Sequence, residues 1–474
     1  MSKDVIRVHL EALHDKQWVN SQASAGCPVL LKCHCFKGID RQTQAPIDSL
    51  PTEIVCEILT TAIETTLPLC DAHRVRKPEL AAVCRRWRDI ILNTPLLWTY
   101  IELSRKWSTT SLLKAHIARS RECPLVIVCH GNCTRSNHYK LFVDILVTTV
   151  HRWRSLTMMI SDNHHTGCNI LTDRFGCTVF PLLTHLSMPG FWRLERPKFL
   201  CPEYFPALKH LEASIATFTT NHSPFPFALE ELTICDFWVW TSRSLQFLSF
   251  QGLKALSFCG YTMKGQIQPD SVHLPLLTRL SFYVSHAEEL LRVLSTPSLT
   301  HLVYQQQHRE TLFTAFNGIP SKWMNVHELM LQLETSDYHA RPEDYHVGLT
   351  ALCFAAPEVR SMEVMAEDLG ELLACRPWGV YPIDHWVHLE KFTVIGDVRQ
   401  LNEKGGHIVP WLKQRRHMGK PVLKLSFLVN GDEADSLDMI VLDDIGQYCD
   451  GVDWRVETVS RYKPKGMLLN GVWL

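Results

Sequence analysis

The sequence predicts an α/β chain in which three N-terminal helices precede a long array of short parallel strands alternating with variable helices. Two observations predict it. An apolar stripe at helical spacing follows a helix-start signal at Asp48–Glu53. A short pattern, apolar-x-x-apolar-x-apolar, then recurs from about residue 150 to 460 at intervals of roughly 21–33 residues, the range of stacked repeat architectures.

At 474 residues the chain has room for two or three domains. Its 46% hydrophobic and 20% charged content is that of a core-forming protein. Lys+Arg number 48 against Asp+Glu 49, and this balance points away from a dedicated nucleic-acid binder, which carries a basic surplus to neutralise phosphates. The 17 cysteines show no framework spacing and read as free thiols in a reducing compartment. Residues 1–18 are too charged for a signal peptide. Apolar runs such as Leu125–Cys129 are too short to span a bilayer, so no membrane contact is expected. The sequons at Asn132 and Asn221 then read as chance, and the location as cytoplasmic or nuclear.

Residues 1–45 are read as a mobile leader. The first helix is expected at residue 50 or so. Asp48 or Ser49 caps it, Pro51 sits in its first turn, and Glu53 faces the positive end of its dipole. Ile54, Ile58, Leu59 and Ala62 form its apolar stripe. A polar loop is expected from Thr65 to Pro78, then a second helix striped by Leu80, Val83, Cys84, Trp87 and Ile91. Asn93-Thr94-Pro95 breaks it, and a short third helix carries Leu97 and Trp98.

Three blocks, Leu50-Pro51-x-Glu53-Ile54-x-x-x-Ile58-Leu59, Val83-Cys84-Arg85-Arg86-Trp87-Arg88 and Pro95-Leu96-Leu97-Trp98, stand in order, and together this segment resembles the F-box motif. The connection over residues 65–78 is longer than the motif's usual one. The resemblance implies a substrate-receptor subunit of an SCF-type, cullin-RING ubiquitin ligase. It would be a non-enzyme without a cofactor, whose partners are the small adaptor subunit, through it a cullin scaffold, and a target protein. The adaptor-binding residues it implies are Leu50, Pro51, Ile54, Ile58, Leu59, Val83, Cys84, Trp87, Ile91, Pro95, Leu97 and Trp98. A helical segment of this size has too little core to cover all of them, so the groups around Leu50, Pro51 and Trp98 are expected to stay open until a partner shields them. The alternative is a cap of the same helices on a non-catalytic interaction scaffold with no ligase link.

The array resembles an irregular leucine-rich-repeat solenoid. Its anchors run from Trp153/Leu156/Met158 through Leu183/Leu186/Met188 and Leu299/Leu302/Tyr304 to Leu389/Phe392/Val394 and Val422/Leu425/Phe427. Helices are expected at His286–Leu294, Glu343–Ala355, Asp368–Cys375 and Ser436–Cys449. The expected domains are a helical segment at 46–103, linker helices and a cap over 104–150, the array over 151–460 and a tail over 461–474. Leu125–Cys129 with Tyr139–Val150 would cap the first end, and residues 452–456 the last.

Strand side chains alternate between core and open face. One outward column is therefore His185, His210, Glu231, Ala255, Arg279, His301, Glu328, Ser361, Lys391 and Lys424. The adjacent one is Ser187, Glu212, Thr233, Ser257, Ser281, Val303, Met330, Glu363, Thr393 and Ser426. They are candidate target-binding positions, above all His185, His210, Glu231, Arg279, His301, Glu328, Lys391 and Lys424. Their mixed charge favours no strongly acidic target.

The remaining candidates read plainly. Arg85-Arg86-x-Arg88 is a solvated helix face rather than a phosphate site. Cys27 with Cys33-His34-Cys35 lacks the paired spacing of a zinc site, and His164-His165 is equally bare, so no metal is expected. Glu433, Asp435, Asp443 and Asp444 read as solubility charges. No nucleophile elbow, phosphate loop, metalloprotease motif or dinucleotide fingerprint occurs, and no catalytic residue is assigned.

Overall fold

The computed structural model describes residues 46–64, 72–103, 110–130, 137–159, 174, 178–189, 202–214, 228–235, 251–261, 268–285, 287–306, 312–333, 342–373, 381–430, 445–456, 468–469 and 472–473. The leader, the tail beyond these residues, the cysteine group at 27–35, both sequons, His164-His165 and the acidic group at 433–444 lie outside them. Contacts divide the chain into two compact units, one of residues 1–98 with 119–121, the other holding the rest.

The first unit is helical. A short 3-10 turn, Pro46–Ser49, leads into α1 (Thr52–Glu64), followed by α2 (Ala72–Val83), α3 (Arg85–Asn93) and a second 3-10 turn, Pro95–Trp98. Pro51 lies just ahead of α1, where its carbonyl accepts the Val55 N–H at 3.1 Å. Asp48 and Ser49, expected as caps, belong to the preceding turn. The core stripe of α1 is Val55, Leu59 and Ile63, at i, i+4 and i+8, whereas Ile54 is exposed. Of the stripe expected from sequence, Ile58, Leu59 and Ala62 are buried and Ile54 is not, because α1 is apolar over more than half of its circumference and the inward face is centred nearer Val55 and Leu59.

The expected polar loop up to Pro78 is a helix from Ala72, with Pro78 inside it. The expected single second helix is two. Cys84 is extended (φ −156°, ψ 169°), and its Sγ accepts the Trp87 N–H at 3.4 Å, capping α3. This break turns Val83 outward while Trp87, Ile90 and Ile91 face the core with Leu97 and Trp98.

The second unit is built on a 14-stranded sheet whose own ladders are all parallel. Its strands are β1 (Tyr100–Leu103), β2 (Leu125–His130), β3 (Trp153–Met159), β4 (His185–Met188), β5 (His210–Ser214), β6 (Glu231–Cys235) and β7 (Ala255–Tyr261). They continue as β8 (Arg279–Ser285), β9 (His301–Gln305), β10 (Glu328–Gln332), β11 (Ser361–Met365), β12 (Lys391–Asp397), β13 (Lys424–Asn430) and β14 (Val452–Val456). Each bonds to the strand before and the strand after it in this order. The sheet thus begins at β1, within the segment read from sequence as helical, and β2 is its second strand rather than an end cap. Two-residue ladders form between Val272–His273 and Leu294–Ser295, and between Leu468–Leu469 and Val472–Trp473.

Helices separate many of the strands, among them α4 (Thr110–Arg119), α5 (Asn137–Val147), α6 (Glu288–Val293), α7 (Leu312–Phe316), α8 (Pro342–Ala355), α9 (Leu369–Leu372), α10 (Val398–Lys404) and α11 (Ile408–His417). The helix expected over Asp368–Cys375 is a 3-10 turn, Ala366–Asp368, continued by α9. The inward position of every strand feeds one core, with aromatic stacks where neighbours match, as in Phe180 on Phe205 at 5.1 Å and Phe258 on Phe282 at 5.4 Å. Each such side chain contributes about 1.5–3 kcal/mol on burial. The anchors hold with one correction: Leu423 is the buried residue before β13, and Val422 is exposed.

Strand starts are pinned by side chains. Thr278 and Thr300 donate to the carbonyls of Lys254 and Thr278, each at 3.1 Å, and Asn325 donates to the Pro297 carbonyl at 2.8 Å. No described helix is long and apolar enough to cross a membrane.

Candidate functional site

In the helical unit, side-chain bonds decide which apolar groups stay outside. Arg86 donates to the carbonyls of Leu50 and Ile47, the latter at 3.5 Å. The start of α1 is thereby tied to the start of α3. Sequence reading placed Arg86 on a solvated face and missed this role. A half-buried Arg next to two carbonyls is visible only once the turn is folded. Pro51, which follows Leu50, and Ile54 are exposed, and Val83, two residues before α3, stands 62% exposed. At the other end of α3, Leu92 is 37% and Leu96 is 67% exposed.

The twelve residues expected at the adaptor contact therefore split. Pro51, Ile54 and Val83 are exposed, and Leu50, Cys84 and Pro95 are half-buried. Ile58, Leu59, Trp87, Ile91, Leu97 and Trp98 are buried. Trp98 corrects the expectation of an open ring. Its Nε1–H donates to the Ile91 carbonyl at 2.7 Å. Lys77 and Arg119 lie over its face, 5.2 and 4.4 Å from the ring centre. Burial lowers the Lys77 ammonium to about 8. Leu96, not in the expected set, is the most exposed large apolar residue here. It was missed because Leu96 and Leu97 are interchangeable by composition, and only the 3-10 turn decides which points inward.

In the sheet, the first outward column forms one continuous register. His185 pairs with His210, His210 with Glu231, Glu231 with Ala255 and Ala255 with Arg279. Arg279 then pairs with His301, His301 with Glu328, Glu328 with Ser361, Ser361 with Lys391 and Lys391 with Lys424. All ten are exposed or half-buried. The His185 and His210 rings stack at 4.0 Å. His210 Nδ1 lies 2.9 Å from Glu231, which also takes Arg279 from two strands away. His301 Nε2 lies 2.9 Å from Glu328.

The second column is also in register, and Ser187 donates to Glu212 at 2.6 Å. Its last two members differ from expectation: Thr393 and Ser426 are buried. A further row, which the sequence reading did not pick out, lies at the strand starts. Glu230 bridges Lys209 at 2.8 Å and Lys254 at 2.9 Å, and these two ammonium groups hold its carboxyl down to about 2.

Among the described residues, no group of three or more His, Cys, Asp or Glu side chains gathers as a metal site would require. No curated protein matches the chain. Residues 47–104 match the F-box-like family model, which spans the three helices and the strand that follows them. Domains of that kind generally bind the small adaptor of SCF-type ubiquitin ligases, and this chain carries an F-box-like domain at residues 47–104.

Proposed function

We propose that the protein is a non-catalytic substrate-receptor subunit of an SCF-type, cullin-RING ubiquitin ligase, working in the cytoplasm or nucleus. The F-box-like domain docks on the adaptor and, through it, on the cullin. The sheet unit, read as an irregular leucine-rich-repeat solenoid, holds the target. Sequential parallel pairing of strands that recur every 21–33 residues supports that reading of the unit.

The observation that carries the proposal is the F-box-like match at residues 47–104 together with the apolar groups this domain leaves uncovered: Pro51, Ile54, Val83 and Leu96. An interface needs a desolvated apolar centre, and these side chains supply one. The mechanism is proximity. Holding a target beside a ubiquitin-loaded enzyme raises the effective concentration of its lysines, with no active site on the receptor.

Affinity purification of the tagged full-length chain, with the proteasome blocked, tests the proposal. Recovery of adaptor and cullin together is expected. Folded full-length protein that recovers neither defeats it.

A further inference from the structure

Cysteines are scattered through the sheet unit, but among the described residues only two are partners across a ladder. Cys235 closes β6, Cys259 lies in β7, and the two are in direct register. The residues just before them, Ile234 and Phe258, are register partners too and are sealed in the core. Successive side chains of a strand alternate between faces, so both thiols stand on the outward face. Their surroundings agree. Cys235 Sγ donates to Glu212 Oε1 at 3.7 Å, and Glu212 belongs to the second outward column. Tyr283 is the next register partner after Cys259, and its phenol is pushed up to about 12, by burial first and by the charge of Cys259 second. Neither cysteine is disulfide-bonded. Neighbouring strands hold their Cα atoms about 4.8 Å apart, and a disulfide spans roughly 4.4–6.8 Å between Cα atoms. Joining the two sulfurs therefore calls for rotation of side chains rather than a new pairing of strands. Access differs between them: Cys259 is half-buried, whereas Cys235 is 1% exposed.

We propose that Cys235 and Cys259 are an oxidisable dithiol, which hydrogen peroxide converts to a reversible disulfide between β6 and β7. Cys259, the more open of the two, attacks one peroxide oxygen as its thiolate. The O–O bond breaks, the sulfur keeps that oxygen as a sulfenic acid, and the other oxygen leaves as water with the proton of the thiol. Cys235 then attacks the Cys259 sulfur, the S–O bond breaks, and a second water leaves. Glu212 takes the Cys235 proton along the existing hydrogen bond and passes it to the departing hydroxide. Two thiols lose two electrons, and one peroxide is reduced to two waters. Small thiols of a reducing compartment return the bond to the dithiol by exchange, as befits a transient cross-link rather than a structural one. Closure also takes from Glu212 the thiol that it holds, so oxidation changes the polar partners on the face proposed to hold the target. The inference stands on the sheet unit alone and is independent of the adaptor contact.

The test uses the full-length chain, reduced, desalted and exposed to hydrogen peroxide. Remaining thiols are alkylated. Trypsin, which cuts after Arg243 and Lys254, then releases the two cysteines on separate peptides for mass spectrometry. Expected is a pair of peptides linked through Cys235 and Cys259, separated again by dithiothreitol. In C235S the sulfenic acid has no thiol to resolve it, so dimedone should tag Cys259. E212Q should close the disulfide more slowly, by about tenfold or more, while E212Q/C235S takes up dimedone as C235S does. Unchanged melting of each variant confirms folding. An equal mixture of isotope-labelled and unlabelled chains should give no linkage of mixed isotope. Both thiols remaining alkylatable at peroxide doses that oxidise other cysteines of the chain overturns the inference. So does linkage of either one to a different cysteine, or linkage between chains. Closure by E212Q at the wild-type rate overturns the proton path through Glu212.

Discussion

Arg415 donates to Asp384 Oδ1 at 3.0 Å, and both side chains are closed to solvent. The same oxygen accepts Trp411 Nε1 at 3.1 Å, and Arg415 also donates to the carbonyls of Leu389 at 3.0 Å and Pro421 at 3.3 Å. One guanidinium thus stitches α11 to the loops that lead into β12 and β13. A buried pair is costly to break because the survivor stays charged in a dry place. Arg415→Met and Asp384→Ala should each lose about 3–5 kcal/mol in denaturant unfolding. The double variant should lose less than the sum of the two. Strict additivity would mean that the residues do not act as a pair.

Adaptor capture should depend on exposed groups and tolerate no core damage. Ile54→Asp with Val83→Asp, and separately Leu96→Asp, are expected to abolish adaptor recovery while leaving circular dichroism unchanged, since these side chains already face water. Trp87→Ala should instead lose about 3–5 kcal/mol and melt the domain. Normal adaptor binding by the first variant and by Leu96→Asp would place the contact elsewhere.

Asp368 gives the sheet unit a pH signature. Its Oδ2 accepts the Leu333 N–H at 2.9 Å, but burial dominates and pushes the carboxyl well above its ordinary range. Between about pH 4 and that raised value the folded chain holds a proton that the unfolded chain has released. This group's contribution to stability is therefore fully present below about pH 4 and falls as pH rises through the window. Asp368→Asn keeps an acceptor for Leu333 and removes the ionisation, so it should flatten the slope and match or exceed wild-type stability near neutrality. Asp368→Ala should lose about 1–3 kcal/mol by orphaning the amide. Parallel melting curves for wild type and Asp368→Asn across that range would contradict the assignment.

Gly348 is where α8 meets α7. A Cβ there would lie 2.5 Å from Leu312 Cβ and 2.7 Å from the Phe313 nitrogen. Gly348→Ala is expected to cost about 1–3 kcal/mol despite the better helix propensity of alanine. A melting temperature at or above wild type would show that the helices can move apart freely.

The sheet was the most legible part of the sequence. A strand's two-residue alternation, repeated at one offset from each anchor, specifies register, so the columns from His185 to Lys424 and from Ser187 to Ser426 could be written down unaligned. What escaped was anything that depends on which of two similar neighbours turns inward. Ile54 against Val55, Leu96 against Leu97 and Val422 against Leu423 are pairs of that kind. The break at Cys84 was hidden because Leu80 to Ile91 has helical spacing throughout. Arg86 and Trp98 were misjudged for a related reason. A backbone carbonyl as partner leaves no trace in side-chain composition.

The chain order of β1 to β14 bears on how the protein is made. In the 14-stranded sheet every strand after β1 finds its hydrogen-bonding edge on a segment already synthesised, and none must thread between two finished ones. During translation the growing end can be laid down, one strand at a time, on a template that has just left the ribosome. The exposed working edge then advances with synthesis, which shortens the interval in which any one apolar strand stands unguarded against misassociation.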